Sequence, residues 1–101
     1  MANVTQYQVM LYGSKDGYLD FRAQVTPYDG ETVLGYIRFH DPGMPFPEDE
    51  QTGGKIIMHL PSTMLENVLY VLRHEKPINY YFSSGHAFLG TATAEPVGEA
   101  D

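Results

Sequence analysis

Apolar residues return at every second position through two stretches of the first forty residues, and that period of two demands strands rather than helix. Leu19, Phe21, Ala23 and Val25 share one side of an extended segment, opposite Asp20, Arg22, Gln24 and Thr26. Val33, Ile37 and Phe39 share a side with Gly35, opposite Tyr36, Arg38 and His40. Two turns of the same chemistry, Lys15-Asp16-Gly17 and Tyr28-Asp29-Gly30, flank the first of these segments. Each offers glycine where a three-residue hairpin loop needs a left-handed residue. Closing the second loop on Pro27 and Glu31 pairs Phe21 with Ile37 and Leu19 with Phe39. Closing the first on Ser14 and Tyr18 pairs Leu11 with Phe21 and Val9 with Ala23. A slip of one residue would set core against solvent. The expectation is an antiparallel meander near residues 5–13, 18–27 and 32–40.

Residues 55–60, "KIIMHL", predict a fourth strand with Ile56, Met58 and Leu60 inward. The period then changes. In "PSTMLENVLYVLRHEKP", Met64, Leu65, Val68, Leu69, Val71 and Leu72 fill an arc of about 160° on a helical wheel. Thr63 and Glu66 have the spacing of a capping box, and Pro77 ends the helix. Residues 78–94 predict a closing hairpin around Ser84-Gly85 in one of two registers. A two-residue turn faces Phe82 with Ala87 and turns Tyr81 outward; a three-residue loop pairs Phe82 with His86 and turns Phe88 inward. The fold class expected is α+β: an antiparallel sheet of about six strands, curled or partly closed into a barrel, packed on one helix in the order ββββαββ. One domain covers 1–94, with a long loop at 41–54 and a flexible acidic tail at 95–101.

Composition narrows the function. The 101 residues include 43% apolar side chains, which suits a globular domain, and no cysteine, which excludes disulfides, zinc-thiolate sites and cysteine nucleophiles. The formal charge is −7, with six basic residues against thirteen acidic ones. Nucleic-acid affinity depends on neutralising phosphates, so no nucleic-acid partner is expected. No basic cluster precedes an apolar run at the start, and no apolar run approaches the roughly 18 residues of a membrane span. The expectation is a cytoplasmic protein without a membrane partner.

No stretch has the spacing of a phosphate loop, a dinucleotide fingerprint, a nucleophile elbow or a zinc helix. No catalytic residue, metal or cofactor is assigned, and the balance leans away from an enzyme. Two features remain. The first is the outward side of the sheet, which carries Tyr12, Tyr36, Arg38 and, with a two-residue last turn, Tyr81. These are residue types enriched at protein contacts rather than on plain solvated faces. The second is "HDPGMPFPEDEQTGG", residues 40–54, far longer than a hairpin connection needs. Its prolines stiffen it and present Met44 and Phe46 as anchors. Tyr12, Tyr36, Arg38, Met44, Phe46 and Tyr81 are therefore the expected partner-binding residues of a non-enzymatic protein–protein interaction domain, self-associating as a homodimer. The alternative is a small-molecule or metal-binding domain, possibly catalytic, with a cleft under the loop lined by His40, Asp41 and His59.

Overall fold

The computed structural model describes residues 2–94 and 96–98. The expected acidic tail rests on Glu95 and residues 99–101, which lie outside the described residues. The strands are β1 (Ala2–Asn3), β2 (Gln6–Leu11), β3 (Ala23–Asp29), β4 (Thr32–Val33), β5 (Gly35–His40), β6 (Glu50–Thr52), β7 (Lys55–Pro61), β8 (Ile78–Ser83) and β9 (His86–Thr91). A 3-10 turn, Ser62–Met64, leads into the helix α1, Leu65–His74. The α+β class holds. The single curled sheet or barrel is replaced by two open sheets: β2-β3-β5-β7-β6 with β4 attached to β3, and β1-β8-β9.

β2, β3 and β5 form the expected meander, with different partners. Leu11 faces Ala23 and Val9 faces Val25, while Ala23 faces Phe39 and Val25 faces Ile37. Both registers move by an even number of residues from the expected ones, so every residue paired in the two ladders keeps its side of the sheet. The causes are local. Asp29 and Thr32 close a two-residue turn, and Leu34 N–H donates to Pro27 O at 2.9 Å, forming a bulge before β5 begins. At the other end, Leu19 and Asp20 both have positive φ, 51° and 66°, between two mutual backbone bonds of Tyr18 and Phe21 at 3.0 Å. That miniature turn ends the strand early. Leu19, expected inside, is 69% exposed.

The largest correction is direction. β7 was expected antiparallel like all other strands, yet it runs parallel to β5, with Ile37 beside Met58 and Phe39 beside Leu60. The chain leaves β5, arches past the slot that β7 will fill, and comes back as β6. It then turns at Gly53-Gly54 to run up between them as β7. Part of the long loop is thus strand, and the irregular connection shortens to residues 41–49. Skipping one strand position spans roughly 10 Å, far less than nine residues can cover. The surplus length has other work, described below.

Ala23, Val25, Ile37, Phe39, Ile56 and Met58 present the inner face of the large sheet, and Val68 of α1 with Tyr80 and Ala87 of the small sheet complete the cluster. Leu65, Leu69 and Leu72 pack against it as expected, whereas Met64 is 37% exposed on the 3-10 turn. The capping box does not form: α1 starts after Met64 and has no side-chain cap. Tyr80 bolts the layers together, its buried hydroxyl lying 3.0 Å from Tyr36 O and 3.1 Å from Ile56 O. The last hairpin takes the two-residue turn, with Phe82 facing Ala87 and Ser83 facing His86.

Candidate protein-contact surface

The outer side of β5 is alternately aromatic and basic, and the chain around it supplies more rings. The Arg38 guanidinium carbon lies 4.9 Å from the centroid of Phe21 and 5.3 Å from that of Tyr36, a cation held between two ring faces. Its Nε donates to Gln24 Oε1 at 3.1 Å. Phe21, expected in the core with Ala23, joins this opposite side because the Leu19-Asp20 turn redirects it. Its ring makes edge contacts with Tyr12 at 5.4 Å, Tyr18 at 6.3 Å and His40 at 6.2 Å. Phe46 adds the last ring, 5.2 Å from His40.

The 12–22 turn is held by one side chain. Arg22 donates from Nη1 to Tyr12 O at 2.7 Å and Ser14 O at 2.8 Å, and from Nη2 to Lys15 O at 3.1 Å. Its Nε donates to Asp41 Oδ2 at 2.7 Å, tying the turn to the long loop. That bond, followed by one from Ser62, holds the Asp41 carboxyl below the ordinary carboxylate range. Met44 completes the junction: its sulfur accepts the Asp41 N–H at 3.2 Å, and its terminal methyl lies against Gly17. Asp41 and Met44 therefore fasten the loop inward, while Phe46 stays 55% exposed.

His40 and His59, expected on an open outer face, are 3% and 8% exposed. They sit diagonally on the parallel β5–β7 pair, and His40 Nε2 meets His59 Nδ1 at 2.8 Å. His40 Nδ1 lies 2.6 Å from Asp20 O. A carbonyl only accepts, so Nδ1 of His40 carries a hydrogen, and in the neutral pair His59 Nδ1–H donates to His40 Nε2. Burial, then the neighbouring His40, pushes the His59 imidazole below its ordinary value, against the opposing pull of Asp49 and Glu50. An open groove of about 270 Å³ beside the loop is lined by His40, Asp41, Met44, Phe46 and Pro61, among others. The three residues of the alternative site do not converge: the imidazoles bind each other, and Asp41 turns to Arg22. Among the described residues no group of three or more histidine, aspartate or glutamate side chains could hold a metal ion.

Of the expected contact residues, Tyr12, Tyr36, Arg38, Met44 and Phe46 are brought together. Tyr81 is not. It lies on the small sheet, stacked on Phe88 with centroids 5.0 Å apart. Sequence reasoning missed Tyr18, Leu19, Arg22 and Asp49. Asp49 accepts His59 N–H at 2.8 Å and Ala87 N–H at 3.0 Å, joining the two sheets from within what reads as a solvated acidic run. Arg22 carried a faint signal, a lone cation facing a turn rich in backbone carbonyls; Leu19 at positive φ carried none. No family model, curated protein or solved structure matches the chain.

Proposed function

We propose that the chain is a non-enzymatic protein-interaction domain that contacts proteins, its own copies included, through the aromatic end of the large sheet. One observation carries the reading. Tyr18, Leu19 and Phe46 are 54%, 69% and 55% exposed, on a frame fixed by Arg22, Asp41 and the Met44 junction. Large apolar side chains presented in a rigid setting lose little entropy on contact, which is how anchor residues act at interfaces. Two of them stand on or beside backbone in sparsely populated conformations, and such strain gathers where a fold presents functional groups. Arg22, Asp41 and Arg38 are engaged in internal bonds, so shape and apolar area are the main means of recognition proposed.

The test is a triple variant, Tyr18→Ser/Leu19→Asn/Phe46→Ser, compared with wild type by light scattering on a sizing column across a concentration series. Asparagine tolerates positive φ, so the turn survives the change. The variant should unfold at a similar temperature and associate at least tenfold more weakly, about the effect of one anchor residue at 1.4 kcal/mol. Equal association of variant and wild type would remove this surface from consideration.

A further inference from the structure

The four sheet edges are not guarded alike. β1 has two residues and β6 has three, with Glu50 at its start, and both are too short to template a partner. The outer edge of β9 gives its first donor, Ala87 N–H, to Asp49. β2 has six residues, "QYQVML", with no charge, proline or bulge, at the end of the large sheet. Tyr12 N–H donates to Arg22 O, so the even-numbered residues face β3 in this ladder. The alternation of an antiparallel pair then turns the N–H and C=O of Tyr7, Val9 and Leu11 outward.

We infer that a second copy of the chain docks on this edge, β2 against β2 in antiparallel register about a two-fold axis through Val9, to make one continuous sheet. The occupant is argued from self-complementarity. In that register Tyr7 of one copy lies opposite Leu11 of the other, and Val9 opposite Val9. Each of these pairs exchanges two hydrogen bonds between the groups left outward in the single chain. The inner side of the seam is lined by Tyr7, Val9 and Leu11 of both copies, with the Tyr7 hydroxyl already bonded to Arg73 Nε, and covers Leu11. Gln8 lies opposite Met10 on the outer side, covering a residue 51% exposed. Moving the axis by one residue, to Gln8 or Met10, would leave only two pairs of outward-facing β2 residues opposite each other instead of three. The six residues carry none of the −7 charge, so like charges do not converge along the seam. The seam rests on the self-association proposed above and supplies its backbone component.

Three measurements decide it. In the wild type, hydrogen exchange at the Tyr7, Val9 and Leu11 amides should slow as protein concentration rises, while that of the other edge, β6, stays constant. Leu11→Pro removes only an outward donor and an exposed side chain, and Leu11→Lys places a charge on the edge without touching the backbone. Each should raise the dimer dissociation constant at least tenfold. Val9→Cys, the single thiol in a chain with no cysteine, should form a disulfide-linked dimer under mild oxidation, and Gln51→Cys on β6 should not. Concentration-independent exchange at the three amides, or a dimer unchanged by Leu11→Lys and not cross-linked by Val9→Cys, overturns the inference. A dimer weakened by the triple variant but not by the edge variants leaves the contact surface standing and refutes the seam. The opposite pattern does the reverse.

Discussion

At the scale of single residues, the His40–His59 contact sets a limit on protons. One hydrogen occupies the 2.8 Å line between Nε2 and Nδ1, and a second would set two N–H groups against each other in a buried site. The groups facing His59 are His40 and Arg38, which disfavour its charged form, and Asp49 and Glu50, which favour it. Its folded-state value lies below the unfolded one, so the unfolded chain binds more protons between the two. Stability is therefore full above about pH 6.5, the unfolded value, and falls as pH drops through it toward the folded value. Thermal unfolding at pH 7.5 and 5.5 should show a lower Tm in acid. In His59→Gln, where this ring no longer titrates, the difference should shrink. Asp41 acts in a more acidic window: its lowered value gives stability that is lost only as pH falls below the ordinary carboxylate range. The histidines were legible as chemistry-bearing residues, but their contact was not, because it depends on a parallel strand pair.

At the scale of elements, parity proved more robust than register. Ala23, Val25, Ile37, Phe39, Ile56 and Met58 are all inside as the alternation requires, although both hairpins close elsewhere than their turn residues suggest. A strand shifted by two residues keeps its faces, so an alternating pattern cannot distinguish the two. The short strands β1, β4 and β6 offer too few residues for any period to show. Strand direction left no trace in the pattern of β7 either, since "KIIMHL" alternates whichever way its neighbour runs. One glycine does bear on the parallel pairing. Gly35 has φ of 152°, and a Cβ there would lie 1.9 Å from Ile56 O, so β7 approaches β5 through space that only glycine leaves. Gly35→Ala should cost more than about 3 kcal/mol, through the clash and the strained backbone together, as read by chemical denaturation or by loss of soluble protein. Asp49 joins the elements at their other end. Asp49→Ala strands two backbone donors and should cost roughly 2 kcal/mol in the same experiment, with Asp49→Asn, which keeps one acceptor, in between.

At the scale of the whole molecule, charge and shape oppose each other. Thirteen acidic residues on a chain of 11.4 kDa repel a second copy at low ionic strength, and the association proposed through the β2 edge and the aromatic end would work against that repulsion. The β2 edge carries no charge and the exposed anchors of the aromatic end are apolar or phenolic, so salt should screen the net repulsion and leave most of the proposed contact intact. Sedimentation equilibrium should therefore show tighter self-association at 0.15 M salt, where the Debye length is about 8 Å, than at 0.01 M, where it is about 30 Å. An interface made of ion pairs would respond in the opposite direction. No helix among the described residues is long and apolar enough to cross a membrane.

The insertion of β7 between β5 and β6 also imposes an order of events on a nascent chain. When His40 has left the ribosome, the β2–β3–β5 ladder has all its own residues, yet one flank of β5 has no neighbour until some twenty more residues emerge. β6 pairs in this sheet only with β7, so it can join with β7 or after it, never before. Over that interval during translation, the stretch most open to wrong pairing is the flank that is later the centre of the finished sheet.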